Sequence, residues 1–215
     1  MKISILCTDP NHPVIKSIYA WINEISSKGH IPTLVYDKAD LSGGDILFLV
    51  SCSQMIRDSE RDKYKVTLVL HASDLPKGRG WSPYIWSILN GANQITVSLL
   101  EASEPVDSGA IWLKTTFDLE GHELLPEINA KLFVAELLLM TQAVEQFELI
   151  KPVQQMGDPG PYMKKRTPAD SQLDPHKSIA EQFDLLRVTD SQRYPAFFDH
   201  QGKRYLVKIE KVANE

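Results

Sequence analysis

The chain has 215 residues, of which 43% are hydrophobic and 24% charged, and its formal net charge is −5. This length accommodates either one large domain or one sizeable α/β domain with a small appendage. Residues 1–150 hold 12 Lys and Arg against 19 Asp and Glu. This acidic balance disfavours binding to a large nucleic acid, which needs many cations to neutralise its phosphates.

The two cysteines and the apolar runs place further limits on the class of protein. Cys7 and Cys52 lie in strand-like apolar runs, and neither spacing fits a metal site. The first residues lack the features of a signal peptide, and no apolar run reaches the roughly 20 residues of a membrane span. We therefore expect a soluble cytoplasmic protein with no metal and no membrane association.

Four strand-like runs and one helix form the first third of the chain. Apolar residues of 14–25 recur at helical spacing, and Gly29 is suited to ending that helix. The run at 45–51 is almost continuously apolar, which is typical of a parallel strand covered on both faces. The predicted strands span residues 2–8, 32–37, 45–51 and 66–72.

The middle of the chain continues this alternation. Residues 82–91 read as a short helix with Ser82 as its N-cap and Pro83 in its first turn. Strands are predicted at 95–102 and 109–119, and a long amphipathic helix within 123–149. The pattern predicts an α/β fold with a mainly parallel sheet, in which ligands gather at the carboxyl ends of the strands. His71 stands at such an end.

The composition and pattern of the sequence change after residue 150. Residues 151–174 are rich in proline and have no periodicity, which predicts an irregular connector ordered against the body. A helix at 176–190 and a hairpin that turns at 200–203 follow. The sequence therefore divides into a core at residues 1–150 and a C-terminal region at residues 151–215 with a connector, a helix and a β-hairpin.

The loop after His71 reads LPKGRGWSP and is suited to an anionic ligand. Gly78 and Gly80 permit a close approach of the backbone, and the side chains of Lys77 and Arg79 are suited to phosphate or carboxylate. The alternative is a strand-to-helix connection whose charges are solvated.

A second loop carries Asp107, in the sequence EPVDSG. A carboxylate beside a histidine orients the ring and selects its tautomer for proton transfer. Sequence spacing alone does not bring Asp107 and His71 together.

The stretch LHASDLPKGRGWSPYIWSILNGANQITVSLLEASEPVDSGAIW resembles the core signature of the formyltetrahydrofolate-dependent formyltransferases. That signature has Asn-x-His, a Leu-Leu-Pro-x-x-Arg-Gly loop, Asn-Gly, a Thr-Val strand and then Asp-[Ser/Thr/Ala]-Gly, in the same order and spacing. The tail YPAFFDHQGKRYLVKI is similar to a hairpin found in many members. LPKGRGWSP and KKRTPADSQLD are most similar to the members that formylate nucleotide-linked amino sugars, above all a UDP-4-amino-4,6-dideoxy-hexose of the altrosamine type near the pseudaminic acid pathway.

The resemblance implies a Rossmann-like formyltransferase core and a role for each candidate residue. His71 would act as base or stabilise the intermediate, oriented by Asp107, with 10-formyltetrahydrofolate as co-substrate. The implied acceptor is a UDP-linked, or less favoured dTDP-linked, amino sugar, and the apolar hairpin permits a homodimer. The expected folate-binding residues are Leu49, Ser51, Ser53, Met55, Val106 and Ser108, and the expected acceptor-binding residues are Lys77, Arg79, Trp81 and Tyr194.

One position departs from the family pattern. Most members have Asn two residues before the histidine, and this chain has Val69, whose side chain donates no hydrogen bond. Two alternatives therefore stay open beside the sugar-nucleotide enzyme. One is formylation of another amine, on tRNA or a carrier protein, and the other is a catalytically silent folate-binding homologue. The remaining histidines, at 12, 30, 122, 176 and 200, are read as surface or capping residues.

Overall fold

A computed structural model describes residues 1–212. Its larger sheet has six strands in the order β2-β1-β3-β4-β5-β6. These are β1 (Lys2–Leu6), β2 (Ile31–Val35), β3 (Gly44–Leu49), β4 (Tyr64–His71), β5 (Gln94–Glu101) and β6 (Ile111–Asp118). The helices are α1 (Ile15–Ser27), α2 (Asp58–Arg61), α3 (Pro83–Leu89), α4 (Leu125–Glu145) and α5 (Phe183–Arg187).

The first four strands in this order are mutually parallel, and β5 runs opposite to both of its neighbours. β1 pairs with β2 and β3, and β3 pairs with β4, all in parallel. β5 runs antiparallel to β4 and to β6. The short loop at residues 102–110 joins β5 to β6 without a helix, and a connection of that length supports only an antiparallel pair. The mainly parallel sheet expected from the sequence is confirmed.

The main core lies between the sheet and two helices. Ile18 and Trp21 of α1, together with Leu139 of α4, pack against Ile5 of β1 and Phe48 of β3. The other face of the sheet carries a smaller apolar cluster of Leu6, Leu41, Leu47, Leu49, Ile56 and Tyr64. Because side chains alternate along a strand, His71 projects from this second face. No helix among residues 1–212 has the length and apolar character to cross a bilayer.

The C-terminal connector is irregular but tied to the core, as expected. Val153 and Ile111 exchange two backbone hydrogen bonds, at 2.8 and 2.9 Å. Met163 donates to the carbonyl of Arg79 at 2.7 Å and accepts from the amide of Trp81 at 3.0 Å. The connector thus passes directly over the loop that follows His71.

The predicted hairpin is present as β7 (Ala196–His200) and β8 (Lys203–Val207). Gln201 and Gly202 between them have φ of 48° and 72°, and a two-residue type I′ turn requires positive φ at both positions. The hairpin is joined to the connector through Leu173, whose amide donates to the carbonyl of Phe197 at 2.6 Å.

Two helix predictions were wrong in detail. Ser82 precedes α3 but has φ of 47° and makes no side-chain capping hydrogen bond. The helix predicted at 176–190 shrinks to a 3₁₀ turn at Ala180–Gln182 followed by α5. The hydroxyl and amide of Ser178 both donate to the Glu181 carboxylate, and this capping arrangement starts the helical turns only after Ser178.

Candidate active site

A cavity of about 830 Å³ opens at the carboxyl edge of the parallel strands. Loops that follow β1, β3, β4 and β5 line it, together with the inner face of α4 and part of the C-terminal region. Its size lies within the range of small-molecule sites in proteins. His71 and Asp107 both lie in its wall.

His71 is buried, and one ring nitrogen has a fixed partner. Nε2 lies 2.9 Å from the carbonyl oxygen of Gly78. Because a carbonyl oxygen only accepts, Nε2 carries the hydrogen and donates. The neutral ring then has its lone pair on Nδ1, which faces Asp107 Oδ1 at 3.6 Å. That separation is too long for a hydrogen bond, so Nδ1 is free to accept a proton from a third group.

The Asp107 carboxylate is held by one oxygen and leaves the other for the histidine. Oδ2 accepts a hydrogen bond of 2.9 Å from the amide of Gly80, while Oδ1 faces His71. Asp107 adopts φ of 61°, a left-handed conformation that is uncommon for a residue with a side chain. The two loops that the sequence could not connect are thereby joined beside the cavity.

Two glycines permit the close packing of these loops. Gly80 has φ of 113°, and an added Cβ there would overlap the carbonyl oxygen of Met163. An added Cβ at Gly109 would overlap the carbonyl oxygen of Glu101. Any side chain at either position would therefore push apart the backbone segments that carry the site.

Five of the six residues expected to bind folate lie in the cavity wall: Leu49, Ser51, Ser53, Met55 and Val106. Ser108 does not line the cavity. Its hydroxyl donates to the carbonyl of Pro105 at 2.5 Å and serves the internal structure of the Asp107 loop.

The four residues expected to bind the acceptor divide evenly. Trp81 and Tyr194 line the cavity, whereas Lys77 and Arg79 do not. Lys77 is exposed on the loop, and Arg79 turns away from the cavity to donate from Nη2 to Gln155 Oε1 at 2.9 Å. The position of Arg79 follows from the connector, which has no sequence pattern from which to place it.

Glu136 of α4 is a cavity residue that sequence reasoning missed. Its side chain is buried, and Oε2 has no hydrogen-bond partner. Burial raises the pKa of Glu136 to about 8, from an ordinary value of 4.5. The signal was present in the sequence, because Glu136 lies four residues after Leu132 and three before Leu139, on the apolar stripe of the helix.

His12, near the start of the chain, and Arg193, in the C-terminal region, line the same cavity. The His12 ring packs 6.0 Å from the Phe133 ring, and its burial lowers the pKa of the imidazole. Arg193 pairs with Asp9 at 2.5 Å. His12 is partly exposed and also accepts from the amide of Val14 at 3.3 Å, so the capping role expected for it is present.

Val69 also lies in the cavity wall, paired with Leu49 of the neighbouring strand. Val69 presents methyl groups where most members of the family that the sequence resembles have an amide. Among residues 1–212, no group of three or more His, Cys, Asp or Glu side chains is arranged to hold a metal ion.

A family model described as formyl transferase matches residues 9–144. The chain belongs to the formyl transferase family. The methionyl-tRNA formyltransferase of Rickettsia massiliae is 27% identical over 168 residues, which are 77% of this chain and 54% of that protein. The methionyl-tRNA formyltransferase of Finegoldia magna is 28% identical over 128 residues, which are 59% and 41% of the two chains. The chain thus spans about half the length of the curated relatives it matches.

Solved structures show the same fold. Methionyl-tRNA formyltransferase from Clostridium thermocellum superposes with a TM-score of 0.81 at 22% identity, covering 95% of this chain and 90% of that one. HypX from Aquifex aeolicus, in complex with tetrahydrofolic acid, gives 0.81 at 23% identity, covering 97% and 37%. An N-formyltransferase from Helicobacter canadensis, in complex with folinic acid and dTDP-3-aminofucose, gives 0.70 at 13% identity, covering 94% and 85%. The Rossmann-like formyltransferase fold predicted from the sequence is confirmed.

Proposed function

We propose that this protein is an N-formyltransferase that moves a formyl group from 10-formyltetrahydrofolate to the amine of a nucleotide-linked amino sugar. The observation that carries the proposal is the pairing of His71 and Asp107 at the wall of the cavity, in a chain of the formyl transferase family.

His71 is suited to the proton transfers that this reaction needs. The acceptor amine forms a C–N bond to the formyl carbon and gives its proton to His71 Nδ1, while Nε2 keeps its hydrogen bond to Gly78. The resulting imidazolium faces the Asp107 carboxylate, which stabilises it. When the bond between the formyl carbon and N10 of the folate breaks, the imidazolium returns the proton to that nitrogen. One side chain, His71, therefore both accepts the proton from the amine and returns it to the folate nitrogen.

The folate is assigned to the side of the cavity formed by the loops after β3 and β5. Leu49, Ser51, Ser53, Met55 and Val106 line this part, with apolar surface and backbone groups. A pterin ring presents donors and acceptors around its edge, which such backbone groups can match. The cavity volume of about 830 Å³ is large enough for a pterin and an acceptor sugar together.

The acceptor is assigned to the opposite side, where aromatic and cationic groups meet. Lys165 Nζ lies 4.8 Å from the centre of the Trp81 ring, and both residues line the cavity with Arg193 and Tyr194. An exposed aromatic ring stacks on a nucleobase, and a neighbouring ammonium is suited to a phosphate. The motifs shared with sugar-nucleotide enzymes favour a UDP-linked 4-amino-4,6-dideoxy-hexose of the altrosamine type, over a dTDP-linked sugar. Pairing of two copies through the hairpin stays a prediction.

The similarity to methionyl-tRNA formyltransferases supports a second acceptor, the aminoacyl group of a charged tRNA. The acidic balance of residues 1–150 disfavours it, since this part of the chain contains 19 Asp and Glu but only 12 Lys and Arg. An aminoacyl group on a carrier protein is disfavoured less by charge and is distinguished by its need for a docked carrier.

The test is product formation by the purified protein with 10-formyltetrahydrofolate and a panel of acceptors. The panel contains UDP- and dTDP-linked amino sugars, charged initiator tRNA and an aminoacylated carrier, with products identified by mass spectrometry. We expect a formylated sugar nucleotide, lost in His71→Gln and retained in His200→Gln, whose histidine is exposed on the hairpin. Formylation of tRNA alone would replace the sugar acceptor. Folate binding without turnover on any acceptor would identify a silent homologue.

A further inference from the structure

Gln155 lies in the connector, outside the cavity, and its side-chain amide ties three backbone or side-chain groups together. Nε2 donates to the carbonyl oxygen of Asp107 and to that of Gly109, both at 2.9 Å. Oε1 accepts from Arg79 Nη2, also at 2.9 Å. The partners lie 46 to 76 residues away along the chain, so this one side chain joins the connector to both loops of the site.

Arg79 determines which way the amide of Gln155 faces. A guanidinium only donates, so the oxygen of Gln155 must face Arg79 and the nitrogen must face the two carbonyls. Both hydrogens of the nitrogen are then used, one on the carbonyl of Asp107 and one on that of Gly109.

The held segment is the one whose conformation sets the direction of the catalytic carboxylate. Asp107 has φ of 61°, which is unfavourable for a residue with a Cβ and needs support from its surroundings. The described contacts that fix it are the Gly80 amide on its carboxylate and Gln155 on its carbonyl. A change in the direction of this peptide would move Oδ1 away from His71 Nδ1.

We propose that Gln155 is a positioning residue for formyl transfer, which holds the Asp107 loop so that the carboxylate faces His71. The inference rests on the proposed function, and it gives Arg79 the role of orienting Gln155 in place of the acceptor contact expected from the sequence. Gln155 itself touches neither substrate.

Two variants of Gln155 distinguish the role of its amide nitrogen from that of its oxygen, and a third variant serves as a control. Gln155→Leu loses every polar contact, and Gln155→Glu keeps an acceptor for Arg79 but cannot donate to the two carbonyls. Gln154→Leu is the matched control, because Gln154 is the exposed neighbour of the same type. We expect both Gln155 variants to lower kcat by about 10- to 100-fold with the KM of folate and of acceptor changed less than about threefold, since small misplacements of catalytic groups have effects of this size. A Gln155→Glu enzyme with wild-type kcat would overturn the proposal.

A double-mutant cycle tests whether Gln155 acts through Asp107. In an Asp107→Asn background, Gln155→Leu is expected to cause little further loss of kcat, because the carboxylate it positions is already gone. If Gln155→Leu lowers kcat by the same factor in the Asp107→Asn background as in the wild type, Gln155 acts independently of Asp107. That result would contradict the proposal.

A readout that needs no turnover keeps this inference distinct from the proposed function. Long-range ¹H–¹⁵N NMR reports the tautomer and surroundings of each histidine ring, and the His71→Gln variant assigns the His71 signals. We expect Gln155→Leu to shift those signals and Gln154→Leu to leave them in place. Unshifted His71 signals would refute the role of Gln155, whereas a wild type inactive on every acceptor would refute only the proposed function.

Discussion

Val69 and His71 occupy alternate positions at the end of β4, and both side chains enter the cavity from the same face of the sheet. The family pattern places an amide at the first of these positions, where it helps to hold the formyl oxygen. In this chain an isopropyl group lies beside the proposed base, His71. The cavity wall at Val69 therefore offers no side-chain hydrogen-bond donor, whereas His71 two residues later has the Gly78 carbonyl and the Asp107 carboxylate as neighbours.

Val69→Asn is expected to raise kcat by about tenfold or more. Removal of one oxyanion donor from an enzyme costs roughly 10²–10³ in rate, so its restoration next to His71 should recover part of that factor. The measurement is steady-state formyl transfer on the acceptor that the panel identifies. Val69→Ala is the control, since it changes the volume without adding a donor. A Val69→Asn variant no faster than Val69→Ala would show that other groups already hold the oxygen.

Much of the fold was predictable because its strands are continuous apolar runs that need no long-range information. The ends of the six strands of the larger sheet all lie within two residues of their predicted positions. The helix at 176–190 was overestimated because its apolar spacing hid the capping pair of Ser178 and Glu181. Local hydrogen bonds of this kind set element ends more strongly than periodicity does.

The site was less predictable because it depends on contacts between distant segments. His71 and Asp107 come together only because the loop at 102–110 closes an antiparallel pair next to β4. Arg79 turns toward Gln155, in a connector that has no periodicity from which to place it. Glu136 could have been found, since a carboxylate on an apolar helix stripe is a signal by itself.

Trp81→Ala and Lys165→Ala are expected to raise the KM of the acceptor, by about tenfold for the tryptophan and less for the lysine. Stacking of a base on an aromatic ring contributes roughly 1–3 kcal/mol. The KM for the folate co-substrate should stay unchanged, because we assign these residues to the acceptor side of the cavity.

Lys164→Ala is the control for these acceptor variants. Lys164 lies 5.4 Å from the centre of the Trp86 ring, and neither of them lines the cavity. Equal effects of Lys164→Ala and Lys165→Ala on the acceptor KM would indicate a general effect of charge. A rise in the folate KM would indicate that the folate, and not the acceptor, binds on this side of the cavity.

Gly80→Ala is expected to lower both stability and kcat, while Gly91→Ala lowers stability alone. Both glycines have positive φ, at 113° and 84°, and a left-handed conformation costs an alanine about 1–2 kcal/mol. Only at Gly80 would the new Cβ also meet backbone atoms, those of Met163 in the connector. Urea denaturation and steady-state kinetics separate the two effects. Equal losses of stability with kcat retained in both would show that the connector accommodates the added methyl group.

Glu136→Gln is expected to make the protein more stable than the wild type at pH 8 but not at pH 5. The pKa of Glu136 is raised to about 8 by burial, so the folded chain keeps this proton while the unfolded chain loses it above its ordinary value of 4.5. Between those two values the unfolded state binds fewer protons, and the free energy of unfolding falls as the pH rises. Glutamine does not titrate, so the variant lacks this loss, and the difference at pH 8 should be on the order of a few kcal/mol.

Urea denaturation of the wild type and of Glu136→Gln at pH 5, 6.5 and 8 measures this difference. Glu145→Gln is the matched control on the same helix, because Glu145 is half-exposed and pairs with Lys28 at the surface. A surface pair contributes roughly 0–1 kcal/mol, so its loss should shift the stability curve little. A wild-type curve that runs parallel to that of Glu136→Gln from pH 5 to 8 would show that Glu136 gives up its proton in the folded chain. Glu136 would then stand in the cavity as a charged group, opposite in sign to Arg166 and Arg193 in the same wall.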